Sequence, residues 1–204
     1  MLIHEFRVPL HMTVDEFQVA QLYMVLDASE KNTKNGEGVE ILKNEPYDNS
    51  NGQLGDISPL SLVKIPRNKG QYTLKHYHVK SHIPSYVSAI CPEESMVLIE
   101  EAWNAYPHCL TVITNGYLAK QKFYISIETL TPVMTCYKVV RVNFDYWGFQ
   151  GRVENAIRDR QRRLFHSSLR QAQCLSHKWN GLTMDDIRRL EANVQSKLVA
   201  QRAA

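Results

Sequence analysis

Thr73 and Lys75 lie two residues apart in a stretch, Gln71 to Lys80, that alternates strictly between two faces. Tyr72, Leu74, His76 and His78 fall on one side, and Gln71, Thr73, Lys75 and Tyr77 on the other. A strand face carrying a hydroxyl and an ammonium must meet water or a wet cavity. On the opposite face His76 and His78 could hold a metal, but no third His, Asp or Glu stands nearby at a telling spacing, so structural histidines are the expectation. The acidic pairs Glu93-Glu94, Glu100-Glu101 and Asp185-Asp186 are adjacent in sequence. Adjacent residues do not converge on one substrate atom, so these read as solvated or capping acids. Cys109 follows His108 directly and therefore points to the other strand face, and no G-x-S-x-G is present. Phosphate-cradling loops are missing too, since Gly36 and Gly38 read only as a turn. No catalytic constellation emerges.

The elements that must position these residues follow from periodicity and punctuation. Residues 2–10 read as a strand, and Thr13 with Glu16 forms a capping pattern for a helix of about 18 residues. Its expected apolar positions are Phe17, Ala20, Leu22, Tyr23, Val25 and Leu26. Val39 to Leu42 reads as a short strand that stops at Asn44, Glu45 and Pro46. Residues 47–70 form a long loop with an apolar patch from Ile57 to Pro66, a length that signals mobility or function. Four more strands are expected, Met96–Trp103, Cys109–Thr114, Phe123–Thr129 and Cys136–Phe144, in an antiparallel meander. A helix follows from about Arg152 to Ser176, with Val153, Ile157, Leu164, Leu169, Ala172 and Leu175 on its apolar side. A last helix starts at Thr183, capped with Asp186, and runs toward Leu198. The outline is α+β: one antiparallel sheet gripped by helices from both ends of the chain.

With 204 residues, 44% hydrophobic and 22% charged, the chain has the means for one core and is not of disordered or coiled-coil composition. No apolar run approaches the roughly 20 residues of a membrane span, and the charged first residues lack the apolar stretch of a signal peptide. Net charge is +3, but the part from Arg152 onward carries 11 basic and 5 acidic residues, so the basic character is concentrated there. That distribution suggests an anionic surface as partner. The arginines of the long helix lack an aromatic stacking platform, so a solvated face is preferred to nucleic-acid binding. Cys91, Cys109, Cys136 and Cys174 are scattered and read as buried thiols of a reduced, cytoplasmic protein. Tyr146 and Trp147, before Gly148, project in opposite directions from a strand end; one reading is a core Trp, the other an anchor at a bilayer interface.

These residues belong to collinear stretches that resemble the phosphatidylinositol transfer proteins. The stretches are 13–23, 36–47, 70–78, 102–107, 111–115, 153–165 and 182–191, spread over nearly the whole chain, and their wording is similar to the small single-domain class. The resemblance implies a START-like, helix-grip fold in which a curved antiparallel sheet and long helices enclose one phospholipid. It implies a single domain over 1–204 that transfers phosphatidylinositol and phosphatidylcholine between membranes without covalent chemistry, as a monomer that is cytoplasmic and touches intracellular membranes transiently. It implies no cofactor and no metal. Carried over position by position, the phosphatidylinositol headgroup contacts fall on Thr73, Lys75 and Asn104, and the phosphate and general headgroup contacts on Gln21, Thr111, Thr129 and Lys138. The membrane-docking aromatic pair falls on Tyr146 and Trp147. A hydroxyl and an ammonium on one face then suit an inositol ring and its phosphate, each charge-assisted contact being worth about 1.5–3 kcal/mol.

Three departures qualify the match. The helix glutamate of the family falls within Leu190 to Asn193, where the register gives Ala192 and places Glu191 one residue, about 100° of helix, away. Glu191 is the candidate headgroup residue there. The apolar segment 56–68 has no counterpart in familiar members. Near 131–136 the chain lacks a long stretch that includes further sheet, which favours a second reading: a lipid-binding or scaffold protein with impaired transfer.

Overall fold

The computed structural model describes residues 1–10, 12–34, 36–79, 96–106, 108–115, 124–130 (backbone), 135–144 and 148–203. Thr13 and Glu16 close a reciprocal cap, the Glu16 N–H donating to Thr13 Oγ1 at 3.2 Å and the Thr13 N–H to Glu16 Oε2 at 2.8 Å. Helix α1 (Val14–Asn32) starts there. Thr183 and Asp186 repeat the device at the head of the last helix.

Seven strands form one antiparallel sheet in the order β1-β7-β6-β5-β4-β3-β2. They are β1 (Leu2–Pro9), β2 (Gly38–Asp48), β3 (Lys69–His78), β4 (Val97–Ala105), β5 (His108–Asn115), β6 (Tyr124–Leu130) and β7 (Thr135–Asn143). The chain's first strand closes one edge by pairing with the last, and β2 forms the other edge. β6 and β7 pair without interruption from Tyr124↔Asn143 to Leu130↔Tyr137, so the sheet continues across the position of the expected missing stretch.

Helices cover one face. Phe17, Ala20 and Met24 of α1 pack with Cys136 of β7, and with Ala172 of α2 (Gln150–Cys174) and Trp179 of the short α3 (Ser176–Trp179). Phe6, Val140 and Val142 meet Phe165 of α2. At the β2 edge, Leu26 and Val39 meet Val194 and Leu198 of α4 (Met184–Ala203). No helix among the described residues is long and apolar enough to cross a membrane.

Several expectations need correction. β2 does not end near Leu42 but runs to Asp48, because a bulge between Ile41 and Lys43 absorbs one residue and lets pairing resume. In α1 Met24 is buried while its neighbour Val25 is 37% exposed, and in α2 Phe165 is buried while its neighbour Leu164 is 55% exposed. The rest of each stripe lies as expected: Phe17, Ala20, Leu26 and Ala172 are buried, and Tyr23, Ile157, Leu169 and Leu175 pack against the core. Cys109 and Cys136 are buried, but Cys174 is exposed.

The segment expected as the loop 47–70 is shorter and well anchored. Tyr47 and Asp48 end β2, Lys69 and Gly70 begin β3, and the intervening residues lie on the sheet face opposite the helices. Ile65 packs there with Tyr47, Trp103 and Val112. The Asn49 side chain is fully buried, its amide donating to the Pro66 carbonyl at 3.2 Å and its Oδ1 accepting from the Leu54 N–H at 2.9 Å. Glu101, expected as a solvated acid, is buried beneath this loop. Its carboxyl group accepts from Ser58 (2.7 Å), Ser61 (2.5 Å) and Tyr72 (2.8 Å).

Candidate headgroup site

On the helix-covered face, strand register brings the expected residues together. Thr73 stands opposite Ala102, Lys75 opposite Glu100 and Gln71 opposite Asn104, while Ala102 stands opposite Thr111 on the next strand. All project on one side because the side-chain period is two. α1 lies across them with Gln21, and α4 closes the edge with Glu191. Between these elements is a cavity of about 160 Å³, the volume of about five waters and on the scale of one sugar-sized ring. Leu22, Val25 and Leu26 supply an apolar wall.

Its polar groups are of two kinds. Some are already partnered. Lys75 Nζ lies 2.9 Å from Glu100 Oε1, both side chains being 13% exposed. The Tyr77 hydroxyl donates to Glu100 Oε2 at 2.9 Å, and burial, aided by Glu100, raises its pKa well above 10. Glu191 Oε2 accepts from Asn44 Nδ2 at 3.0 Å and from the Arg188 guanidinium at 2.7 Å. Ser29 donates to the Val25 carbonyl. Others are not partnered. Gln21 Oε1 and Thr73 Oγ1 are buried and find no hydrogen-bond partner among the described residues. A buried polar atom left unsatisfied costs about 1–3 kcal/mol, and two at one cavity leave hydrogen-bonding capacity that a polar ligand can satisfy.

Asn44, Tyr77 and Glu100 belong to the site although they were not among its expected residues. Tyr77 was legible, being in phase with Thr73 and Lys75. Asn44 was not, because simple alternation from Ile41 would turn Lys43 inward. The bulge leaves Leu42 and Lys43 both exposed and turns Asn44 toward the cavity, opposite Thr73. Gly70 has its own reason: a Cβ there would sit 2.2 Å from the Asn104 carbonyl oxygen. The bare backbone lets β3 approach the end of β4 that carries Asn104.

Six of the expected headgroup residues thus surround one cavity: Gln21, Thr73, Lys75, Asn104, Thr111 and Glu191. Lys138 is placed elsewhere on the same sheet face. Its ammonium lies 4.7 Å from the centre of the Phe165 ring of α2, and burial lowers its pKa. Thr129 lies on β6 opposite Cys109 and Lys138. Tyr146 and Trp147 lie outside the described residues.

His76 and His78 are on the opposite face, and the third potential ligand missing from the sequence pattern is there: Glu40, on the neighbouring strand.

A family model described as phosphatidylinositol transfer protein matches residues 1–131 and 129–196. The chain is 35% identical to the phosphatidylinositol transfer protein beta isoform of Rattus norvegicus, over 99% of this chain and 95% of that protein. It is 33% identical to phosphatidylinositol transfer protein 1 of Dictyostelium discoideum, over 97% and 94%. It is also 33% identical to membrane-associated phosphatidylinositol transfer protein 2 of Mus musculus, where 97% of this chain corresponds to only 19% of that protein. The rat alignment runs over 274 positions against a chain of 204 residues, so at least 70 positions face a gap in this chain. The two family-model segments meet at 129–131, the end of β6. The chain belongs to the phosphatidylinositol transfer protein family.

Proposed function

We propose that this chain binds one phospholipid by its headgroup in the cavity beneath α1 and α4, and transfers phosphatidylinositol and phosphatidylcholine between membranes. The observation that carries this reading is the pair of unsatisfied buried atoms, Gln21 Oε1 and Thr73 Oγ1, within a ring of partnered polar groups. A polyol such as inositol needs donors and acceptors together. Thr73, Asn104 and Lys75 supply these at one wall, and Glu191 supplies an acceptor at the other. The reading involves no covalent step: Lys75 is held by Glu100 and Ser29 by its own helix, so neither is poised as a nucleophile.

Docking is assigned to Tyr146 and Trp147 together with the arginines of α2, which follow them in the sequence. Arg162, Arg163 and Arg170 line an open groove on α2 with His166, an anion-attracting surface suited to phospholipid headgroups. The protein acts as a monomer in the cytoplasm and meets membranes transiently.

The alignment gap favours a second reading, a lipid-binding protein with impaired transfer. A segment absent between β6 and β7 removes material from the sheet region. Exposing acyl chain costs about 0.8 kcal/mol per methylene, so lost wall weakens retention. Native mass spectrometry of the purified protein, followed by vesicle transfer of labelled lipid, separates the two. The proposed function gives one co-purified phospholipid and transfer of both lipids. A bound lipid without transfer supports the second reading, and no bound lipid overturns both.

A further inference from the structure

Glu40, His76 and His78 form a cluster on the sheet face opposite the lipid cavity. One donor atom from each lies within 4.8 Å of the others. The strand register explains the meeting: Glu40 is directly opposite His76, and His78 is two residues farther along the same face of β3. Gly38, opposite His78, contributes no side chain. His78 Nε2 is 2.9 Å from Glu40 Oε2, and the two rings meet edge to face with centroids 6.3 Å apart. The side chains are neither sealed nor fully exposed, His78 being 23% and Glu40 33% accessible. Two imidazoles and one carboxylate suit a first-row divalent ion, and Zn²⁺ takes such donors at about 2.0–2.2 Å in tetrahedral geometry, often leaving one position for water.

We propose that Glu40, His76 and His78 bind one Zn²⁺ ion, with the fourth position open to solvent.

The site has a built-in competitor. Arg202, in the last turn of α4, donates to the same Glu40 oxygen at 2.8 Å, and its buried Nε has no partner among the described residues. A metal ion and a guanidinium repel each other and draw on the same carboxylate. Binding therefore weakens the tether of the last turn of α4 to β2, and loss of Arg202 favours the ion. This site stands apart from the phospholipid reading, and its test needs no lipid.

The experiment is isothermal titration of chelator-stripped full-length protein with Zn²⁺ alone. One ion per chain is expected, with affinity reduced by about tenfold or more in Glu40→Gln and in His76→Leu. Affinity is expected to rise in Arg202→Ala and to stay unchanged in His177→Ala, an exposed histidine outside the cluster. Circular dichroism confirms that each variant is folded, and Glu40→Gln preserves side-chain shape where His76→Leu does not. Failure to bind Zn²⁺, or binding that survives both Glu40→Gln and His76→Leu, overturns the proposal.

Discussion

Lys75 of β3 and Glu100 of β4 face each other across the ladder and meet at 2.9 Å inside the cavity wall. The pair stabilises the wall, and Lys75 is also the residue proposed to contact the inositol headgroup. Two roles on one residue call for variants that separate them. Lys75→Met leaves the buried Glu100 with Tyr77 alone, which is expected to destabilise the fold by about 3 kcal/mol. Adding Glu100→Gln removes the uncompensated charge and restores much of that stability. Phosphatidylinositol transfer stays lost in the double variant while phosphatidylcholine transfer persists. Urea titration with a two-lipid transfer assay checks this; loss of both lipids to the same degree in the restored variant would remove Lys75 from inositol recognition.

Glu101 points the other way from Glu100, into the loop across the opposite face. Its three hydroxyl partners mean that deleting one leaves a buried carboxyl group under-satisfied, at a cost of about 1–3 kcal/mol. Ser61→Ala is therefore expected to lower the urea midpoint and to raise hydrogen exchange across residues 49–68 selectively. Unchanged exchange there would show that Ile65 and Asn49 anchor the loop without the hydroxyl contacts.

At the tip of that loop Leu62 has φ 57° and is 74% exposed. A left-handed non-glycine residue costs about 1–2 kcal/mol, and its exposure leaves little burial to offset this. Glycine relieves the strain and adds about 0.5–1 kcal/mol of unfolded-state entropy. The balance predicts that Leu62→Gly raises stability by about 0.5–1 kcal/mol. Thermal unfolding measures it, and a lowered Tm contradicts it.

Local signals gave this fold most of its legible features. Thr13 with Glu16 and Thr183 with Asp186 locate both helix starts, and the alternation from Gln71 to Tyr77 correctly separates the cavity face from its reverse. What stayed hidden depends on partners distant in the chain. The fate of Glu101 is decided by Ser58 and Ser61 in a loop about forty residues away, and Glu40 meets His76 only through pairing of β2 with β3. The bulge after Ile41 is a third case, since a single extra residue reverses every side chain after it. Periodicity registers a stripe but not its margins, which is why Val25 and Leu164 read as inward and Met24 and Phe165 do not, although Phe17, Ala20, Leu26 and Ala172 lie inward as expected.

Acid should expose a different contact. Burial works to raise the Glu154 carboxyl, but the Phe144 N–H and the Gln150 amide outweigh it and hold the pKa below 4.5. The unfolded chain therefore takes up this proton first as pH falls. The stability Glu154 contributes is fully present above about pH 5 and is lost as pH drops through the lower, folded-state value. Glu154→Gln should flatten the acid limb of stability against pH, measured by denaturant midpoints from pH 6 downward; an unaltered slope would assign acid sensitivity to other carboxylates.

Helix α4 is held by ion pairs, hydrogen bonds to β2 and buried apolar contacts, and their magnitudes differ. Lys197 reaches Glu30 of α1 at 2.6 Å, but these side chains are 58% and 36% exposed, and such pairs are worth about 0.2–1 kcal/mol. Leu198, only 2% exposed, packs with Leu26, Val39 and Val194, where truncation to Ala costs about 2–5 kcal/mol. Burial therefore governs opening. If the phospholipid leaves through this edge, Leu198→Ala should increase hydrogen exchange along α4 and speed lipid release, while Lys197→Ala changes either by less than about fivefold. Exchange mass spectrometry beside release from lipid-loaded protein reads both. Faster α4 exchange with unchanged release in Leu198→Ala would place the exit away from this helix.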